Sequence, residues 1–366
     1  MKTIRRTFFA LAIVFLSSTM CISSCTGQEK AGIVNQAYDL RITGRADSAM
    51  TLLEAYLEKN ETDALAWYEL SRIHMHMGGS NPGRTGEKLE LAGQSIDRAV
   101  ENDPQNAFYI AQRGRIECLE LYLRLQKGDD DASEKLLKIE ERYNAAFKID
   151  PEYFELKMTL VELFGGLPAD MGGDLSKADK YTLELESADP VWGAKAREIL
   201  MPEDADYVAF WENIVQKYPD NADALEALAR IHLLMGNVQN AKKCYENVLV
   251  MEPSRNHVYL TMARYYMMMV MQGTAEIDSV VSLIEDEYTR YLSSEPEPCN
   301  PMKAWVKSSL AKVKYHAGDK EAGDRLMTEA QDLDPYFSRA FGTPDISLYV
   351  KPGKECRHHV YYFTPF

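Results

Sequence analysis

The chain has 366 residues, 46% of them hydrophobic and 27% charged. That is the composition of a folded protein and excludes wholesale disorder. Acidic residues outnumber basic ones by 56 to 41 for a formal net charge of −15, which excludes nucleic acid as the main partner, because phosphate binding needs a basic footprint.

Residues 1–24 differ from the rest. A basic start, "MKTIRR", leads into the apolar "FFALAIVFL" and then into the small and polar "SSTMCISSC". That order is the order of a secretory signal, and the apolar run is shorter than the roughly 20 residues of a spanning helix. Ile22, Ser23, Ser24 and Cys25 resemble the lipobox of bacterial lipoproteins. The resemblance implies cleavage before Cys25, lipidation of its sulfur and a stable membrane anchor. The alternative is an ordinary cleaved signal that leaves Cys25 free. Thr26 follows Cys25 where an Asp would retain the protein at the inner membrane; by resemblance this favours the outer membrane, facing the periplasm. Cleavage would remove Lys2, Arg5 and Arg6 and take the net charge from −15 to −18. Residues 25–30 then form a short linker.

Cys118, Cys244, Cys299 and Cys356 are too few and too scattered for a disulfide framework. Cys299 and Cys356 lie in loop-like sequence and could pair. Cys118 and Cys244 fall within helical patterns and are expected to pack as small apolar groups.

From residue 31 onward one signal recurs. A proline follows a polar helix end at Pro104, Pro151, Pro190, Pro219, Pro253, Pro296 and Pro335, at intervals of 47, 39, 29, 34, 43 and 39 residues. Proline cannot continue a helix and commonly follows one. The clearest unit runs from Ala222 to Arg255. Leu225, Leu228, Ala229 and His232 share one side of its first helix, Gly236 turns the chain, and Ala241, Tyr245 and Val248 lie on the second. Ala229 and Ala241 stand where two helix backbones must approach closely.

This unit resembles the tetratricopeptide repeat, a 34-residue helix–turn–helix. The same marks recur at Trp67, Leu70, Ala92, Ile96 and Ala99, at Tyr143 and Ala146, at Ala311, Gly318, Met327 and Ala330, and more weakly at Gly44, Ala49 and Leu53. The fifth and seventh units depart from the pattern, with Tyr207, and with Ile284 and Tyr291, at positions of small residues. The resemblance implies an all-α, right-handed helical-repeat solenoid of about seven to eight helix pairs over residues 31–340. Residues 341–366 are left as a C-terminal tail, either a small hairpin of "ISLYV" with "HHVYYF" or an irregular cap over the open end.

Motifs for chemistry are weak. "GGSNPGRT", from Gly78 to Thr85, imitates a phosphate-binding loop but lacks the preceding strand and the Lys; it is read as an insertion of about nine residues between two helices. Asp170 and Asp174 in "GGLPADMGGD" lack the spacing of a calcium loop. His74 and His76, two apart on a helix, point to different faces. Cys356, His358 and His359 would need a fourth metal ligand from elsewhere. No catalytic residue, metal or cofactor is implied, and the chain is not read as an enzyme.

One stripe points to binding. In the repeats this chain resembles, certain first-helix positions face a concave groove. Arg72, Arg115, Arg230, Arg264 and Lys312 each follow the small marker of a first helix. Tyr68, Met75, Leu233, Met267 and Met268 are candidate neighbours, and the run "YYMMMVM" offers an adaptable apolar surface. Such a groove suits an extended protein or peptide segment with exposed carboxylates. The alternative is that the cations pair with acidic residues of neighbouring repeats and that the methionines are core. The functional expectation is a membrane-anchored envelope lipoprotein acting as a protein-interaction scaffold. A solute-binding or transporter-associated lipoprotein that uses the solenoid cavity for a small ligand, and an envelope assembly factor, are the alternatives.

Overall fold

The computed structural model describes residues 32–128, 133–337 and 346–352. The signal, Cys25, Cys356, His358 and His359 lie outside the described residues. Within them the protein is all-α, and 16 α-helices follow one another in eight successive twos, all but the fifth packed as a pair. The first pair is α1 (residues 32–42) with α2 (Ala46–Leu57), followed by α3 (Ala64–Ser80) with α4 (Thr85–Asn102) and α5 (Ala107–Leu125) with α6 (Ser133–Ile149). Then come α7 (Phe154–Gly166) with α8 (Leu175–Ala188), α9 (Pro190–Ile199) with α10 (Tyr207–Lys217), and α11 (Ala222–Leu234) with α12 (Val238–Met251). The last two are α13 (His257–Met271) with α14 (Ile277–Leu292), and α15 (Asn300–His316) with α16 (Lys320–Leu333).

Each of the seven recurring prolines follows an even-numbered helix. Downstream, a short polar side chain often starts the next helix: the carboxamides of Asn106 and Asn221 accept from backbone N–H groups at the starts of α5 and α11. The two helices of a pair have different surroundings. α11 buries nine of its 13 residues, whereas α12 buries only Ala241, Tyr245 and Val248. The odd helices thus form an inner layer with neighbours on both sides, and the even ones cover it with a single apolar stripe.

Two local expectations need correction. The "GGSNPGRT" segment is not a nine-residue insertion: α3 continues to Ser80 and α4 begins at Thr85. Thr85 Oγ1 donates to Gly78 O at 2.9 Å and ties the short turn to the helix. The irregular fifth unit is not a pair like the others, because α9 packs mainly on α7 and α8, and α10 mainly on α11. Asp189 ends α8 and caps α9 at once, so no turn separates them, and a Cβ on Gly193 would meet the α8 backbone at Glu186. Trp211 of α10 is fully buried between Val191 and Ala194 of α9 and the Ala224–Ile231 stretch of α11, bridging the gap.

The row of pairs comes back onto itself. In the turn between α1 and α2, Thr43 O accepts from Asn300 Nδ2 at the start of α15, at 3.2 Å. Gly44, with φ of +84°, lies so close to the end of α16 that a Cβ there would be 1.8 Å from Leu333 O. Asp334 Oδ2 stands 3.0 Å from His76 Nε2 of α3. Residues 346–352 then lie against the joint, with Ile346–Tyr349 as a 3-10 turn rather than a strand. Leu348 is buried among Tyr68, Tyr109 and their neighbours, and Tyr349 packs against both this cluster and that of the last three pairs. The described part of the tail is therefore an irregular plug.

Candidate functional site

The inner layer carries the five predicted cations on α3, α5, α11, α13 and α15, but their surroundings differ. Arg72 is buried. Its Nη1 lies 3.2 Å from Glu69 Oε2, and its Nη2 donates to the carbonyls of Leu348 and Val350 at 2.5 and 2.6 Å. It belongs to the joint, not to an open surface. Tyr68 is buried with it, its ring 5.0 Å from that of Tyr109. Met75 and Leu233 are core residues, and Met75 Sδ accepts from Gln112 Nε2.

Arg115 is half-buried, and its Nη1 donates to Gln112 Oε1 at 3.4 Å. Arg230 reaches back to α9, where its Nη2 is 2.5 Å from both oxygens of Glu198, which also accepts from Trp211 Nε1 at 2.6 Å. That is the pairing with a neighbouring repeat that the sequence left as the alternative. Lys312 is exposed and forms no ion pair among the described residues.

Arg264 is different. It is half-buried on α13, and among the described residues it has no hydrogen bond and no carboxylate partner. Burial pulls its guanidinium below the ordinary value, with only the Tyr288 hydroxyl opposing. An arginine stays charged in such a place, so this is a cation held in a partly dry position without a counterion. Met267 and Met268, one turn on, are also half-buried, and Met267 Sδ accepts from Tyr288 at 3.7 Å. Met271 at the helix end is 85% exposed.

The sequence reading missed the acidic side of this layer. Lys195 of α9 pairs with Asp223 of α11 at 3.1 Å, Arg255 reaches Asp223, Glu226 and Glu252, and His257 meets Glu226 at 2.8 Å. Glu155 of α7 is buried, and among the described residues neither carboxylate oxygen has a hydrogen-bond partner. Burial pushes its pKa up to about 8, against the pull of Lys195 and Arg115, and burial does the same to the half-buried Glu162 beside Arg230. Nothing in the spacing distinguished these carboxylates from the many on exposed helix faces. The signal available was their place one or two turns from the marker residues on first helices.

Asp174, weighed as a cation ligand, instead caps α8 by accepting from the N–H groups of Ser176 and Lys177. Among the described residues Cys118, Cys244 and Cys299 form no disulfide, and Cys356, the suggested partner of Cys299, lies outside them. Among the described residues no group of three or more His, Cys, Asp or Glu is placed to hold a metal, and no helix is long and apolar enough to cross a membrane.

No protein-family model matches the sequence, and no curated protein is detectably similar. Among solved structures, a tetratricopeptide repeat protein from Parabacteroides merdae is 16% identical, with 84% of this chain and 93% of that one covered at a TM-score of 0.35. The type IV pilus biogenesis factor PilW is 16% identical over 72% of this chain and 93% of its own, at 0.28. The human IFIT1 dimer with m7Gppp-AAAA is 12% identical over 85% and 78%, at 0.40.

Proposed function

We propose that the protein is a lipid-anchored lipoprotein of the bacterial envelope whose inner helix layer is a scaffold for protein partners. The observation that carries the binding half is Arg264. Of the stripe, Arg72 and Arg230 are neutralised inside the fold by Glu69 and Glu198. Arg264 is held half-buried beside Met267 and Met268 with no anion paired to it among the described residues. A cation in such a place gains most from a carboxylate brought by a partner, and the thioethers offer an apolar surface that adapts to its side chains. A protein segment with an acidic residue next to an apolar one fits this chemistry.

The anchoring half rests on Ile22 to Cys25 and the signal-like residues before them. The outer membrane, facing the periplasm, is the proposed location because Thr26 follows Cys25. Membrane fractionation of a Cys25→Ser variant tests the anchor. Release from the membrane or blocked processing is expected; normal processing with full membrane retention would overturn it. Capture of an envelope protein by the wild-type chain but not by an Arg264→Glu variant tests the scaffold.

A further inference from the structure

At the joint, Leu348–Val350 of the chain's own tail lie in a cleft between α1 and α3. Three successive main-chain carbonyls are read by side chains: Tyr38 Oη donates to Tyr349 O at 2.8 Å, and Arg72 Nη2 donates to Leu348 O and Val350 O at 2.5 and 2.6 Å. Contacts of this kind hold a backbone whatever its side chains. Selectivity comes from the tyrosine. Its hydroxyl is 3.0 Å from His76 Nδ1, its ring meets the His76 ring edge-on at 5.6 Å, and the Arg41 guanidinium lies 6.0 Å from its centroid. Leu348 fills the apolar floor beside Tyr68.

The walls of this site are held in place by contacts that do not involve the segment. Glu69 accepts from Arg41 Nε at 2.8 Å and from Arg72 Nη1 at 3.2 Å. His76 is held within 3.0 Å of Asp334, and Tyr68 backs Arg72 at 5.4 Å. Arg41 is fully buried, and among the described residues its two terminal nitrogens have no hydrogen-bond partner. They lie near the rings of Tyr38 and Tyr349. Without the segment, Arg41 loses one of these rings and Arg72 loses two acceptors.

We propose that the cleft lined by Tyr38, Arg41, Arg72 and His76 is a peptide-binding site for a turn of apolar residue, tyrosine, apolar residue, filled in cis by Leu348–Val350. Any partner segment of the same chemistry binds there only by replacing the resident turn. The cis segment has the advantage of a tethered ligand, whose effective concentration is on the order of millimolar. The wild-type site is therefore closed to micromolar partners. This site is separate from the Arg264 surface and stands or falls independently of it.

The test uses the full chain and a fluorescent peptide with the sequence of residues 346–352, ISLYVKP. Leu348→Ala with Tyr349→Ala weakens the cis turn, and peptide anisotropy is then titrated. The double variant is expected to bind the peptide at least roughly tenfold more tightly than the wild type does, and adding Arg72→Ala should abolish that binding. A folded double variant that does not bind up to millimolar peptide would overturn the proposal, because a purely structural plug leaves no site that accepts a ligand in trans. Should the double variant fail to fold, the wild-type chain is exposed to millimolar peptide with a photoreactive residue at the tyrosine position. Cross-links to α1 and α3 are expected; their absence, or cross-links elsewhere, overturns the proposal.

Discussion

His76 Nε2 on the second helix pair lies 3.0 Å from Asp334 Oδ2 at the end of the eighth, and both side chains are fully buried. The two atoms are close but not aligned as a hydrogen bond. The other carboxylate oxygen, Asp334 Oδ1, accepts from Tyr336 N at 2.9 Å. Asp334 thus ends the last helix pair and faces the beginning of the chain. Asp334→Ala removes both contacts inside a dry joint. A loss of about 2–4 kcal/mol is expected by denaturant unfolding. A change no larger than that of an exposed carboxylate such as Glu101 would contradict the closure of the row.

Glycine offers a second and independent measure of that closure. Gly44 and Gly236 both turn the chain between the helices of a pair, with φ of +84° and +74°. A Cβ on Gly236 meets nothing within 4 Å, whereas one on Gly44 meets Leu333 O at 1.8 Å. Gly236→Ala should cost only the left-handed backbone penalty of about 1–2 kcal/mol. Gly44→Ala has that same penalty plus the displacement of the α16 end, and should be the more destabilising by at least about 1 kcal/mol. Equal losses would mean that the two ends do not press together in solution.

Glu155 gives a pH signature. Burial raises its pKa from 4.5 to about 8, so the folded protein holds a proton that the unfolded chain releases. For such an acid, stability is lost as pH rises from about 4.5 toward 8. Glu155→Gln removes the titration and keeps the shape. It should stabilise the protein by about 1–2 kcal/mol at pH 8 and by little at pH 5, read as a shift in thermal midpoint at the two pH values. A shift of the same size at both, or destabilisation at pH 8, would show that Glu155 is ionised and paired.

The helix pairs were legible because their marks are local. A proline after every even helix from α4 onward and small residues at the crossings report on contacts within about 34 residues of sequence. The fifth unit was not legible, because Trp211 fills from α10 the space that the pattern assigns to residues within one pair. Closure was not legible either. Thr43 and Asn300 are 257 residues apart, and a repeat pattern says nothing about where a full turn of the row ends. The stripe of cations was found at the right helix positions, but their partners were not. Glu198 and Glu155 lie on helices without a clear repeat register, and Arg72 is satisfied by carbonyls of a tail that has no repeat at all.

Arg230 and Arg264 occupy equivalent positions on α11 and α13 and should answer differently to charge reversal. Arg230→Glu sets a carboxylate against Glu198, and a loss of about 1–3 kcal/mol is expected. Arg264→Glu breaks no ion pair among the described residues, and a change within about 1 kcal/mol is expected.

That contrast makes Arg264→Glu the most direct measurement of the scaffold proposal. The wild-type chain and the variant, matched for thermal midpoint, are used side by side to capture proteins from an envelope extract. Captured proteins are cross-linked and identified, and the most enriched one is titrated in purified form against both chains. The account predicts binding to the wild type that weakens by roughly tenfold or more in the variant, a difference of about 1.4 kcal/mol or more, with cross-links to α13 near Arg264, Met267 and Met268. Equal binding by the two chains, with the variant fully folded, would contradict it.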